Sequence, residues 1–215
     1  MTTLRIWKTA MQHEMNDLWE QAPNAWECPA CRRTKQAIVR RTGSGKLVGK
    51  IVCHHDHIYE HVRKLFRPHI DDLEKRYGIS RFAVEEQVIK PIQCSAVSFF
   101  SCYVCEDCNA ADPKAKKIVG APSHVSFSPA DIGRFSIPQH DANHLIDRDV
   151  LQKVWTERKE QFELRDRYIA AHVKMMVDGR HWIQARPNAW MFHGERPLVE
   201  WSGTTIFPSF ENEAA

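Results

Sequence analysis

The sequence predicts an α+β protein that is mostly helical, and three observations predict that class. Apolar residues recur every three or four positions over several long stretches, most clearly from 149 to 177, which is typical of amphipathic helices. Two short apolar runs, 36–41 and 47–52, flank a glycine-containing turn and indicate a β-hairpin. With 215 residues, of which 43% are hydrophobic and 27% charged, the chain can bury one sizeable core or two small ones.

The first 25 residues are expected to form a helix that packs on the core. Helical spacing connects apolar side chains from Leu4 to Trp19, and Pro23 follows as a helix-ending residue. This stretch has no apolar core followed by a small-residue cleavage site, as a signal peptide would have. No apolar run in the chain approaches the length of a membrane span. We therefore expect a cytoplasmic protein that makes no membrane contact.

Residues 58–94 are predicted to be helical. An apolar spacing of three and four residues continues from 59 to 77, and Pro68 is expected to kink or break it. Ser80 can cap a second, shorter helix. The apolar run 96–101 then predicts a short strand that leads into the last cysteines.

The part of the chain after the cysteines is expected to be helical as well. A helix should follow Asn109, and a second one should begin at the capping-box pattern of residues 128–131. The long helix at 149–177 carries an apolar stripe that is either a core contact or the seam of a homodimer or protein partner, and both alternatives stay open. Residues from Trp182 onward predict one or two short strands, so 121–215 is expected to be a helical C-terminal region.

Seven cysteines indicate metal binding before disulfides. Four of them form two Cys-x-x-Cys pairs, Cys28/Cys31 and Cys105/Cys108, in a chain without an export signal. Paired thiolates at this spacing close a tetrahedral Zn²⁺ site if the neighbouring strands bring the pairs together. Cys102 lies three residues before Cys105, so Cys102/Cys105 is a competing pair, and ordinary buried cysteines are a further alternative.

A run of titratable side chains follows the second half of the predicted hairpin. It reads Cys53-His54-His55-Asp56-His57. A strand that ends in this way places a carboxylate and an imidazole side by side at its exposed end. A carboxylate suits a hard metal ion and an imidazole suits a general base, so the run is a candidate catalytic site.

The order Cys-x-x-Cys, strand, Asp-His, strand, Cys-x-x-Cys-Asn, helix resembles the HNH (ββα-metal or His-Me finger) nucleases, and most of all their zinc-bearing recombination endonuclease VII branch. The residues that carry the resemblance are Cys28 and Cys31, Asp56-His57-Ile58, and the run 105–112. The resemblance covers about residues 26–120 and implies a zinc-stapled ββα-metal finger with a helical insertion at 58–94. Such nucleases are often found beside restriction or phage-defence genes, so the resemblance also implies a role in antiviral defence.

The resemblance implies a metal-dependent endonuclease that cuts or nicks DNA. His57 would be the general base, Asp56 and Asn109 would hold a catalytic Mg²⁺ or Mn²⁺, and the four paired cysteines would hold a structural Zn²⁺. Phosphodiester hydrolysis needs a water, a base of near-neutral pKa and a cation at the phosphate oxygens. Asp112 matches an acidic position of the family, although Asp112-Pro113 is also a helix N-cap signature.

A second assignment of the metal ligand and the general base within residues 54–57 stays open. His54 and His55 could serve as metal ligand and base, with His57 in support, because some family members carry paired histidines there. The middle Asn of HNH is absent, and His61, His69 or a backbone carbonyl could replace it as the orienting group. Two other functions stay open: a non-catalytic zinc-binding adaptor for nucleic acid or protein, and an enzyme of different chemistry that binds Zn²⁺ in the histidine cluster.

Basic residues near the predicted site are candidate DNA contacts. A net charge of +3 does not by itself indicate a nucleic-acid-binding protein. The segment from Arg32 to Lys50, however, holds seven basic residues and no acidic one, which is typical of a solvated face or a phosphate-tracking patch. The candidates on this segment and on the helix after Asn109 are Arg32, Arg33, Arg40, Arg41, Lys46, Lys114, Lys116 and Lys117.

Overall fold

The computed structural model describes residues 13–78 and 80–178. The described chain is α+β and mostly helical, so the predicted fold class is confirmed. It folds into two compact units, each of which combines segments that are distant in the sequence. Unit 1 comprises residues 13–55 and 100–157, and unit 2 comprises residues 56–78, 80–99 and 158–178.

Unit 1 begins with a small three-stranded sheet of order β1-β3-β2. Strand β1 (His13–Met15) runs parallel to β3 (Leu47–Gly49), and β2 (Arg40–Arg41) runs antiparallel to β3. Helix α1 (Asp17–Gln21) follows β1 after a single residue, Asn16, whose side chain caps it. The predicted N-terminal helix is therefore confirmed for α1 and wrong for β1, and its first twelve residues lie outside the described residues. Strand β1 depends on a partner far along the chain, which local periodicity does not reveal.

The predicted hairpin is present, but its second apolar run is divided between two sheets. Strands β2 and β3 pair around a turn in which Gly45 has a φ of 83°. Lys50 separates β3 from β4 (Ile51–His54), and β4 pairs antiparallel with β5 (Cys102–Cys105). The predicted strand at 96–101 is wrong, because the strand that pairs with β4 begins only after it.

Strands β4 and β5 and the helix that follows them form a ββα arrangement. The ladder aligns Ile51 with Cys105 and His54 with Cys102. Helix α6 (Glu106–Val119) follows β5 without a linker, so Cys105 is both the last strand residue and the N-cap residue of the helix. This arrangement brings the end of β4 to the first turns of α6.

Helix α7 (Pro129–Phe135) lies against the turn that carries the first Cys-x-x-Cys. It begins with the predicted capping box, built on Ser128. A Cβ atom on Gly133 would stand 2.4 Å from the carbonyl oxygen of Ala30, so α7 and the Cys28–Cys31 turn are in backbone contact. Two short antiparallel strands follow, β6 (Ser136–Ile137) and β7 (Leu145–Ile146).

Unit 2 is helical and contains the whole of the predicted insertion. Its elements are α2 (Ile58–Phe66), a 3₁₀ turn (Arg67–His69), α3 (Ile70–Tyr77), α4 (Arg81–Val84), a π-helical turn (Glu85–Ile89), α5 (Lys90–Ala96) and, from residue 158 on, helix α8 (Arg148–Val177). Pro68 lies in the 3₁₀ turn and Ser80 caps α4, as the sequence predicts. The apolar stripe of α8, including Ile169, Val173 and Met176, is buried in the core of this unit. That burial favours the core alternative for the stripe over a dimer seam.

Among the described residues, no helix is long and apolar enough to cross a membrane. The strands predicted after Trp182 lie outside the described part of the chain.

Candidate functional site

Four cysteines of unit 1 form a group that could hold a metal ion. The Sγ atoms of Cys28, Cys31, Cys105 and Cys108 all lie within 4.8 Å of one another. The Cys28–Cys108 and Cys31–Cys105 sulfur pairs are each 3.7 Å apart. Sulfur ligands 2.3 Å from a tetrahedral Zn²⁺ are about 3.8 Å apart, so the spacing fits that ion. The competing pair with Cys102 is not the one that the fold assembles.

The backbone of the first Cys-x-x-Cys forms a tight turn that aims its two sulfurs inward. The Arg32 amide donates to the carbonyl of Cys28, and Arg32 itself has a φ of 61°. On the opposite side of the group, the amide of Cys105 donates to Cys28 Sγ at 3.4 Å. Hydrogen bonds from Cys105 and Cys108 lower the pKa of Cys28 to about 6, whereas hydrogen bonds from Cys105, Cys28 and Cys31 raise the pKa of Cys108. The group therefore favours thiolate, the form that binds metals, at Cys28 and thiol at Cys108.

Arg33 belongs to the surroundings of the cysteine group. Its Nη2 donates to Asp107 at 2.7 Å and to Cys105 Sγ at 3.4 Å, and it lies 3.4 Å from His144 Nε2. An arginine beside thiolates offsets part of their negative charge. The expectation that Arg33 contacts DNA is corrected, since its guanidinium is directed at the cysteines and at Asp107.

The end of β4 and the first turns of α6 bring His54 and Asn109 together. His54 is 3% exposed, and its Nδ1 lies 3.0 Å from Asn109 Oδ1. Its other ring nitrogen, Nε2, lies 2.8 Å from the backbone carbonyl oxygen of Phe127. A carbonyl oxygen can only accept, so Nε2 carries the hydrogen, and in a neutral imidazole this leaves Nδ1 as the acceptor beside Asn109.

The His54–Asn109 pair fits a divalent cation. The imidazole nitrogen and the amide oxygen approach to 3.0 Å, and both are atom types that bind divalent cations. Ligands of an octahedral Mg²⁺, each about 2.0–2.1 Å from the ion, are roughly 2.9 Å apart. When an imidazole binds a metal through one nitrogen, a hydrogen-bond acceptor at the other nitrogen normally fixes its tautomer. The Phe127 carbonyl oxygen would be that acceptor for His54.

Asp56 is placed elsewhere, in unit 2. Its Oδ2 accepts from Arg165 Nη1 at 2.7 Å and from the amide and hydroxyl of Ser98 at 2.9 and 2.6 Å. The two side chains of the ion pair are 0% and 1% exposed. Asp56 and Asn109 belong to different units, so the prediction that together they hold the metal stays a prediction. The β4 ladder ends at His54, so the ligand facing Asn109 comes two residues earlier than the Asp-His match implies.

The two remaining histidines of the run differ in position. His55 follows the last ladder residue directly, belongs to unit 1 and is half-buried. His57 belongs to unit 2, where it is the N-cap residue of α2, and its Nδ1 lies 3.8 Å from Glu60. His55 is therefore the histidine that adjoins the His54–Asn109 pair within one unit.

Asp112 lies inside α6 and is 2% exposed, so it is not the helix cap that Asp112-Pro113 could indicate. Its Oδ1 accepts from the Phe127 amide at 2.8 Å, and its Oδ2 pairs with Lys116 at 2.7 Å. Both oxygens are thus occupied by the protein. Lys116, which was a candidate DNA contact, is buried in this ion pair, and that expectation is corrected as well.

Three of the six remaining basic candidates contact acidic or backbone groups of unit 1. Arg40 lies 3.3 Å from Glu106, Lys46 lies 2.7 Å from Glu14, and Arg41 donates to the Gly45 carbonyl. The segment has no acidic residue of its own, but its partners come from other parts of the chain. The candidates that remain exposed are Arg32, Arg41, Lys114 and Lys117.

The sequence did not predict two of these contacts, that of the Phe127 carbonyl with His54 and that of Arg165 with Asp56. Phe127 acts through its backbone carbonyl, which leaves no signature in the sequence. Arg165 had a signal, because it lies on the apolar stripe of α8, three residues after Phe162 and four before Ile169. A charge on an apolar helix face needs a buried partner, and that partner is Asp56.

No protein-family model, curated protein or solved structure matches this chain.

Proposed function

We propose that the protein is a metal-dependent nuclease of the ββα-metal type whose reactive centre consists of His54, His55 and Asn109. The observation that carries the proposal is the 3.0 Å approach of His54 Nδ1 to Asn109 Oδ1 at the junction of β4 and α6. This is the histidine-pair register that the sequence leaves open, and it replaces the register built on Asp56 and His57.

His54 Nδ1 and Asn109 Oδ1 would hold Mg²⁺ or Mn²⁺. When bound, such an ion supplies positive charge to the scissile phosphate and to the leaving oxygen. The Nε2–H group of His54 would donate to the Phe127 carbonyl, so the lone pair of Nδ1 would stay directed at the metal position. The two side chains come from different elements of one ββα arrangement, which fixes their separation.

His55 would be the general base that takes the proton from the attacking water. An imidazole has an unperturbed pKa near neutrality, which suits that task. The half-buried position of His55 at the end of β4 keeps it in contact with solvent.

The four cysteines would hold a structural Zn²⁺. That ion would fix the Cys28–Cys31 turn to the start of α6, where Asn109 follows Cys108 directly. The exposed Lys114 and Lys117 lie further along α6 and would contact DNA phosphates.

Cleavage of supercoiled plasmid tests the proposal. Purified protein is incubated with Mg²⁺ or Mn²⁺, with and without EDTA, and zinc is determined by metal analysis. We expect metal-dependent nicking or cutting and one bound zinc. His55→Ala should lower the rate by about 10²–10⁴-fold, the usual contribution of a general base, and His54→Ala and Asn109→Ala should lose metal activation.

His57→Ala is the matched control, because His57 lies in the same run but starts α2. It should cut like the wild type. A variant pattern in which His57→Ala is inactive and His55→Ala is active would restore the Asp56–His57 register. Wild-type protein that binds DNA and zinc but never cuts it would contradict the nuclease and favour the adaptor.

A further inference from the structure

We infer that Asp112 is a positioning residue that sets the tautomer of His54 through the backbone of Phe127. The inference rests on the proposed function, because it assigns His54 Nδ1 to the metal. Asp112 Oδ1 accepts from the Phe127 amide at 2.8 Å, and the Phe127 carbonyl oxygen lies 2.8 Å from His54 Nε2. One residue's backbone therefore joins the acid to the imidazole.

The Phe127 residue is held in a way that fixes the direction of its carbonyl. Its side chain is 0% exposed and packs edge-to-face on Phe135 and Trp155, with ring centroids 5.3 and 6.2 Å apart. Its amide is held by Asp112. With ring and amide both fixed, the carbonyl cannot turn away from His54 without breaking a buried contact.

The second oxygen of Asp112 is held by Lys116. Lys116 Nζ lies 2.7 Å from Oδ2 and is one helical turn further along α6. This leaves Oδ1 for the Phe127 amide. Both oxygens of Asp112 contact groups of the protein itself, so Asp112 acts through His54 and does not touch substrate or metal. That differs from an accessory acid of the site, which the resemblance implies.

The direct test is the tautomer of His54 in the zinc-loaded protein without added Mg²⁺ or Mn²⁺. Long-range ¹H–¹⁵N correlation spectra report which ring nitrogen carries the hydrogen, and His54→Gln assigns the signals by their loss. We expect one tautomer with the hydrogen on Nε2. A wild-type spectrum with the hydrogen on Nδ1 would overturn the inference without any Asp112 variant.

Two variants isolate the role of Asp112. K116M removes the lysine but keeps the acid, and D112A/K116M removes both without leaving a buried charge unpaired. K116M should keep the wild-type tautomer, whereas D112A/K116M should show a mixture of both tautomers. The Mn²⁺ concentration for half-maximal plasmid cleavage should rise about tenfold or more in the double variant alone, as for other groups behind a metal ligand.

The outcomes separate this inference from the proposed function. An unchanged tautomer in folded, zinc-containing D112A/K116M would contradict the positioning role, even if the protein cuts DNA. A wild type that never cuts DNA but whose His54 tautomer depends on Asp112 would contradict the nuclease and keep the positioning role.

Discussion

The two units of the protein use buried charge differently. In unit 1 two buried or half-buried ion pairs lie next to side chains that could bind metal: Arg33 with Asp107 beside the cysteines, and Asp112 with Lys116 behind His54.

Unit 2 has a simpler arrangement. Among its described residues, Asp56 and Arg165 are the buried charged side chains, and they pair with each other inside an apolar core. The Nε and Nη2 atoms of Arg165 have no hydrogen-bond partner in the described structure. A buried carboxylate in this protein is therefore not by itself a sign of catalysis. In unit 1 Asp112 accepts from the Phe127 amide and pairs with Lys116, and in unit 2 Asp56 joins segments 109 positions apart.

The largest expected effect concerns the cysteine group of unit 1. Cys108→Ala should lose the bound zinc and the cooperative unfolding of unit 1, because binding of structural zinc contributes on the order of 10 kcal/mol. Cys102→Ala is the control, since Cys102 is the first residue of β5 and lies outside the group. Zinc analysis and thermal unfolding measure both. If the alanine variant of Cys108 kept its zinc, the group would not be the metal site.

A smaller effect is expected in unit 2. Arg165→Met should lower the free energy of unfolding by about 3–5 kcal/mol, because it leaves the Asp56 carboxylate buried and unpaired. D56L/R165M should recover most of the loss. Chemical denaturation without divalent metal measures the change.

Lys159→Met provides the control for Arg165 on the same helix. Its ion pair with Glu163 is 3.7 Å long and mostly exposed, so its loss should change stability by less than about 1 kcal/mol. Equal stability of Arg165→Met and wild type would remove the contrast between the units and would free Asp56 for another role.

The smallest effect concerns the contact between α7 and the first Cys-x-x-Cys. Gly133→Ala should destabilise unit 1 by about 1–3 kcal/mol, because its Cβ would meet the Ala30 carbonyl oxygen at 2.4 Å. Gly43→Ala is the matched control, because a Cβ there meets nothing within 4 Å. Urea titration followed by tryptophan fluorescence compares the two variants. Equal midpoints would show that α7 can move away from the turn without loss.

The sequence was sufficient where structure depends on local patterns. The capping box at Ser128, the break at Pro68 and the two Cys-x-x-Cys pairs are all short-range features, and the fold contains each of them. The strands were less predictable, because β1 and β5 are defined by partners that lie far along the chain.

The candidate site was only partly predictable for the same reason. Four titratable residues in a row could each be a metal ligand, and the proposed site takes the one at which the β4 ladder ends. That point is His54, which aligns with Cys102 and faces Asn109. The Phe127 carbonyl could not be predicted, since any residue type carries one.

The division of each unit into two separated segments has a consequence for biosynthesis. A ribosome releases residues 13–55 first, but unit 1 also needs residues 100–157, and unit 2 needs residues from 158 on. Unit 1 can therefore close only once the chain has emerged as far as residue 157, and unit 2 only after the residues from 158 on have followed. Contacts between such distant segments slow folding and leave apolar surface exposed in the nascent chain. Helix α8 is thus the described helix that contributes residues to both units.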